Sequence, residues 1–130
     1  MEFQVSFPGG VAVHAHLPNH VVATDQPAPL GEGTAPSPFD LFLASLATCA
    51  GFYALRFCQQ REIATEGMRV SLATERDPVS KRLSKIAIVL DLPHGFPERY
   101  REAVLRAMDQ CAVKKAIADP PQFELTTRHG

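Results

Sequence analysis

The period of the apolar positions changes repeatedly along this chain, and each change marks an element. Phe3, Val5 and Phe7 alternate as one strand face before the turn Pro8-Gly9-Gly10. Val11, Val13 and Ala15 alternate with Ala12, His14 and His16, and His20-Val21-Val22-Ala23 follows Pro18-Asn19 as another short strand. Residues 24–36 are rich in Pro and Gly and read as a loop. Gly31-Glu32-Gly33 within it lacks the Lys-Ser/Thr of a phosphate loop and is set aside.

From Ser37 to Arg61 the pattern turns helical and apolar on nearly every side, with Leu41, Phe42, Leu43, Leu46, Phe52, Leu55 and Phe57 among its members. Ser37 suits an N-cap, Pro38 the first helical position and Asp40 the acceptor of a capping box. Ser45, Thr48, Gly51 and Tyr53 interrupt the run and Arg56 stops it, so it reads as the buried central helix of a core and too short and mixed to span a membrane.

Beyond it, Met68, Val70, Leu72 and Thr74 alternate as a half-buried strand, and Ile86, Ile88, Leu90 and Leu92 line its partner. Pro93 to Pro97 breaks that strand and opens a second helix with Glu98 in its first turn. Val104, Met108 and Cys111 share one face of this helix, which Asp119-Pro120-Pro121 ends, and Phe123 to Thr127 reads as a last strand. The resulting order, βββ-α-ββ-α-β, predicts an α+β fold with antiparallel pairing in a single domain over residues 1–130. A helix apolar all round has more surface to cover than one sheet and one other helix provide. A second subunit would supply the cover, which predicts a homodimer; the alternative is that loop 24–36 covers the remaining face.

Charge and cysteine content narrow the chemistry. The net charge of −1 gives no support for nucleic-acid or anionic-membrane binding. Every Lys and Arg lies at Arg56 or later, while Glu2, Asp25, Glu32 and Asp40 make the preceding segment acidic. The N-terminus has no signal-peptide pattern, and three cysteines without a C-x-x-C suggest neither a disulfide framework nor a zinc knuckle, so a reducing cytoplasmic setting is expected.

Cys49 and Cys58 face roughly opposite ways on one helix and cannot pair within it. Cys111, from the second helix, faces the core that the first one fills, so Cys49 and Cys111 are the geometrically sensible pair. Taken alone, a buried helical cysteine is more often a small hydrophobe than a nucleophile. Cys49 also lies several turns from the N-terminal amides of its own helix, and a thiolate there needs a specific cation. Arg56 shares its face seven residues on but about 10 Å away. Lys114 and Lys115 follow Cys111 by about a turn, where they either lower its pKa or simply solvate a helix end. His14 and His16 share a strand face, with His20 across a turn. They offer a start for a zinc, copper or iron site, but no Cys or carboxylate of that segment is an obvious fourth ligand. Solvent-facing strand histidines are the preferred reading; one of them could instead serve Cys49 as base or cation.

The segment TAPSPFDLFLASLATC, with CAVKKAI beginning at Cys111, resembles the OsmC/Ohr family of thiol peroxidases through the pattern S-P-x-[DE]-L-x-L-A-x-L-x-x-C and the distant second cysteine. The likeness runs over essentially the whole chain. It implies an intertwined homodimer in which antiparallel sheets wrap two central helices, with active sites at the subunit interface. It further implies that Cys49 attacks organic hydroperoxides and that Cys111 resolves the product as a disulfide, which a dithiol of lipoyl type then reduces. No cofactor or metal is implied. The apolar residues Leu46, Phe52 and Tyr53 near Cys49 would favour fatty or aromatic peroxides. The chain departs from the family where peroxidatic members carry an N-terminal Arg and a Glu that holds it: no Arg precedes Arg56, and Phe39 occupies the matching Glu position. Ala112 also replaces a usual Pro after the second cysteine. The alternative is therefore a non-catalytic OsmC-like dimer binding a small apolar molecule at the interface pocket.

Overall fold

The computed structural model describes residues 1–129. The chain forms two compact units, Met1–Ala44 and a second that begins at Ser45. The first is a meander of strands β1 (Gln4–Gly9), β2 (Ala12–His16) and β3 (Val21–Thr24), paired antiparallel in that order. Val5 stands opposite Ala15, which in turn faces Val22, and an irregularity between Ser6 and Gly9 lets the strand run into its turn. Gly10 takes a left-handed φ of 57° there, a conformation glycine adopts without penalty. The alternation of apolar residues thus gives the expected strands, yet Phe3, Val5 and Phe7 remain half or more exposed in the single chain.

The loop after β3 is organised by one carboxylate. Asp25 is buried and accepts from the amide of Gln26 (2.7 Å) and from both the amide (3.1 Å) and hydroxyl (2.7 Å) of Thr34. The hydrogen bond from the Thr34 hydroxyl, then those from the Thr34 and Gln26 amides, hold its pKa down at about 2. Helix α1 (Pro38–Gln60) begins as the capping residues require: the Asp40 amide donates to Ser37 Oγ (3.1 Å) and the Ser37 amide to Asp40 Oδ2 (3.4 Å).

The second unit carries the apolar core. Strands β4 (Arg69–Arg76) and β5 (Leu83–Asp91) form an antiparallel hairpin with Val70 opposite Leu90 and Leu72 opposite Ile88. A short 3-10 turn at Glu98–Tyr100 leads into α2 (Arg101–Met108). Ala50, Ala54 and Phe57 of α1 meet Val104 and Met108 of α2, with Val70, Ile88, Leu90 and Phe96 packed around them. The Arg61 guanidinium lies 3.6 Å from the Phe57 ring centroid and donates to the Phe57 carbonyl, closing the C-terminal end of α1.

Four expectations need correction. Helix α1 is not buried all round: Leu46, Ala50, Ala54 and Phe57 form one buried stripe, whereas Phe52 and Leu55 stay exposed, because one hairpin and one short helix cover one face only. Nor is it too short and mixed for a membrane by length and composition, with a mean hydropathy of 1.6 over 18 residues; what marks it as a core helix is the packing of its buried stripe. The second helix is two helices. α2 stops at Met108, and α3 (Ala112–Ala118) starts after Cys111, whose backbone is extended (φ −47°, ψ 117°). Finally, Phe123 to Thr127 forms no strand. Pro120 and Pro121 offer no amide donors, none of the described strands pairs with the segment, and Phe123 and Leu125 are exposed.

Candidate functional site

Cys49 sits one position before Ala50 on α1, at the edge of the buried stripe, and is half-buried. Cys111 is 2 % exposed, and it reaches that position through the bend between α2 and α3 rather than as part of a continuous helix. The two thiols lie close enough for each to shift the other's pKa. Val104, Met108 and Cys111 are all buried, as their spacing predicts, but the break lets the last of them act as the N-cap of α3. Its Sγ accepts from the Lys114 amide at 3.4 Å, occupying one of the donors a helix start leaves free.

That bend also aims donors at Cys49. The hydrogen bond from Cys111 is the largest influence lowering the Cys49 pKa; burial opposes it, and the amides of Ala112 and Val113 add further lowering. For Cys111 the direction is opposite. Burial pushes its thiol up against the Lys114 amide, and the contact with Cys49 reinforces the rise. The two directions make Cys49 the more readily ionised thiol of the pair. The third thiol differs. Cys58 is fully buried and burial raises its pKa despite nearby Arg61, so it behaves as core filler.

None of the cations considered from the sequence is needed for this arrangement. Arg56 hydrogen-bonds to Gln59 (2.9 Å). The Lys114 side chain pairs with Asp109, and that of Lys115 donates to Gln110 (3.0 Å). It is the backbone amide of Lys114, not its charge, that reaches Cys111, and the thiol there is raised rather than lowered. Sequence reasoning missed the amides of Ala112 and Val113 because it placed them inside a continuous helix, where each would be committed to a carbonyl four residues earlier. The available signal was Asp109-Gln110, a polar interruption before Cys111 with a poor helix former at its head.

The histidines remain on the meander. Ser6 Oγ and His16 Nε2 are hydrogen-bonded at 2.7 Å, and His14 pairs in register with Ala23. Among the described residues no group of three or more His, Cys, Asp or Glu side chains could hold a metal ion.

Beside Cys111 opens a cleft of about 400 Å³. Leu46, Ile86, Ile88, Leu105 and Ile117 give it apolar walls, Asp109 and Lys114 add a charged pair, and Cys111 contributes to the lining.

Comparison with known proteins decides the family. Residues 31–126 match the family model described as OsmC-like protein. The chain belongs to the OsmC-like family. That match contains Asp40, both thiols and all of α1, α2 and α3. Among solved structures, a candidate osmotic stress induced and detoxification response protein of Psychrobacter arcticus is 25% identical, with a TM-score of 0.72 over 88% of this chain and 85% of its own. An OsmC-like protein of Mycoplasma pneumoniae is 13% identical, with a TM-score of 0.71 over 92% and 87% of the two chains. An organic hydroperoxide resistance protein, OsmC, of Legionella pneumophila is 22% identical, with a TM-score of 0.55 over 90% and 89%. The last two likenesses are to the fold. No curated protein matches the chain. The α+β architecture with two antiparallel sheets is thus the OsmC-like fold.

Proposed function

We propose that this OsmC-like protein is a homodimeric, thiol-dependent peroxidase that reduces organic hydroperoxides in the reducing cytoplasm, with Cys49 as nucleophile and Cys111 as resolving thiol. The observation that carries this reading is the neighbouring Cys49–Cys111 thiol pair, in which the Cys49 pKa is lowered and the Cys111 pKa is raised. The Cys49 thiolate attacks the terminal oxygen of ROOH, the O–O bond breaks, and the alkoxide leaves as ROH after taking a proton, so Cys49 becomes a sulfenic acid. Cys111 then attacks the Cys49 sulfur and water departs with the sulfenic oxygen, leaving a disulfide. An external dithiol, itself oxidised to a disulfide, returns two electrons and two protons to the pair.

The structural neighbours support the substrate class, since the Legionella pneumophila protein is named for organic hydroperoxide resistance. Apolar surface on the approach to Cys49 agrees with an alkyl or aryl peroxide: Phe52 lies one turn on and packs edge-to-face with Tyr53 at 5.3 Å. The homodimer draws support from exposed apolar residues in two places, Val5 and Phe7 on β1 with Phe3 just before it, and Phe52 and Leu55 on α1. The amides of Ala112 and Val113 provide the positive potential at Cys49 that an arginine would otherwise supply.

A second reading, a dimer that binds a small apolar molecule without turning it over, is favoured by the lack of any Lys or Arg before Arg56. Steady-state assay with cumene hydroperoxide and a dithiol separates the two. The peroxidase consumes dithiol in proportion to peroxide and Cys49→Ser abolishes turnover. Dithiol consumption at the uncatalysed rate by the wild-type protein rejects the enzymatic reading.

A further inference from the structure

Positive charge gathers between α1 and α2, in a groove that no thiol lines among the described residues. The groove holds about 570 Å³ and lies within the packed unit. Arg56 of α1 and Arg61 just past its end share it with Arg106 of α2. Tyr53 and Phe57 give it aromatic surface, and the small side chains of Ala103 and Ala107 leave room along α2. Among the described residues no Asp or Glu contributes to its lining.

These three guanidinium groups are left without a counter-charge. Ion pairs among the described residues join Arg69 to Asp91, Arg101 to Glu98 and Lys114 to Asp109, and none includes Arg56, Arg61 or Arg106. Arg56 donates to the neutral amide oxygen of Gln59, and Arg61 to the Phe57 carbonyl. A guanidinium has five N–H donors, so most of theirs stay available. Arg61 is also held in place, with its guanidinium 3.6 Å from the Phe57 ring centroid and 5.5 Å from that of Tyr100. A cation fixed in advance loses little freedom when an anion arrives. The cleft beside Cys111 is the contrast, because its Lys114 is already paired with Asp109.

We propose that this groove binds a small aromatic anion, a planar ring that carries a carboxylate or a phosphate. The planar fork of arginine matches both anions with two parallel hydrogen bonds, so Arg106 and Arg56 hold the charged end. Tyr53 offers its ring to the flat body, and Gln60 and Gln110 add neutral donors and acceptors at the rim. The volume is that of a small-ligand site. All three arginines are exposed, so the attraction is screened by salt. The proposal is independent of the peroxidase reading, since it calls on neither Cys49 nor Cys111.

Calorimetric titration of the full chain with 2-naphthoate, at low and at physiological ionic strength, tests the site. Saturable binding is expected, weaker at the higher salt and about tenfold weaker for Arg106→Gln and for Arg56→Gln. Both substitutions are at exposed positions, and unchanged thermal unfolding confirms that the variants fold. The neutral 2-naphthamide should bind at least about tenfold less tightly than the anion. Saturable, arginine-dependent binding of 2-naphthyl phosphate in place of the carboxylate is equally the expected result and identifies the anion. Lys114→Gln, in the cleft beside Cys111, should leave the affinity unchanged. The proposal is overturned if neither anion binds saturably, if the amide binds as well as the anion, or if Arg106→Gln binds like the wild type. A loss confined to Lys114→Gln moves the ligand to the other cleft and overturns it as well.

Discussion

The two units of the chain are stabilised in opposite ways. Up to Ala44, order comes from backbone ladders and from polar contacts gathered on Asp25, while the side chains of Phe3, Phe7 and Leu30 stand largely in solvent. From Ser45 onward, order comes from packing: Ala54 and Val104 are fully buried and Phe57 nearly so. The three thiols lie in the packed unit. Lowering a thiol's pKa needs donors held at fixed places, and the start of α3 supplies the Ala112 and Val113 amides to Cys49 from a bend that follows the packed α2. The polar unit shows what the same physics does without a core. Its one buried charge is satisfied by amides and a hydroxyl from its own loop and serves the loop's shape.

Substitutions can test this contrast. The largest effect is expected at Phe57, where Phe57→Ala should cost about 3–5 kcal/mol in chemical denaturation by emptying the core between α1 and α2. Phe7→Ala, at a side chain 78% exposed, should change the stability of the dissociated chain by less than about 0.5 kcal/mol. Equal costs at the two positions would erase the distinction. Phe7→Ala has a second readout, because weakened self-association in sedimentation experiments is expected if β1 helps to cover a second copy.

The next effect is electrostatic. Cys49 should be alkylated by iodoacetamide with a pH midpoint below that of an ordinary thiol, and Cys111 with one above it. Ala112→Pro sharpens the assignment. Proline is tolerated at the first position of a helix but removes the N–H that Cys49 accepts, so the Cys49 midpoint should rise while α3 persists. A midpoint that stays in place would exclude the Ala112 amide as a contributor.

Smaller again is the cap of α1: Ser37→Ala should cost about 1 kcal/mol, since the Asp40 amide loses its acceptor. The smallest and most local effect is the acid response of Asp25. Its folded pKa of about 2 lies below its ordinary 3.8, so its stabilising share is complete above pH 3.8 and is lost as pH falls towards 2. Asp25→Asn should flatten the stability profile across that window, and an unaltered slope would contradict the hydrogen bonds drawn to the carboxylate.

Much of this architecture is legible in the sequence because its signals are local. The alternation of Val70, Leu72 and Thr74 against Leu90, Ile88 and Ile86, and the Ser37-Pro38-Phe39-Asp40 start, each depend on a few neighbouring residues. The burial of Cys111 is legible too, from its spacing to Met108 and Val104. The bend that frees the Ala112 and Val113 amides is not, since apolar period reports which face a residue occupies and is blind to a break that preserves the face. The tail from Phe123 misled for the converse reason. Its composition suits a strand, but a strand exists only where another ladder receives it. Reasoning from helix dipoles considered the start of α1, far from Cys49, and overlooked the start of α3, which exists only because the chain breaks.

The central claim, that Cys49 and Cys111 form one redox unit from which Cys58 is excluded, is tested most directly by mass-spectrometric mapping of reduced protein after one equivalent of cumene hydroperoxide. The account predicts a single Cys49–Cys111 disulfide with Cys58 still free. Three intact thiols, or a disulfide that includes Cys58, would contradict it.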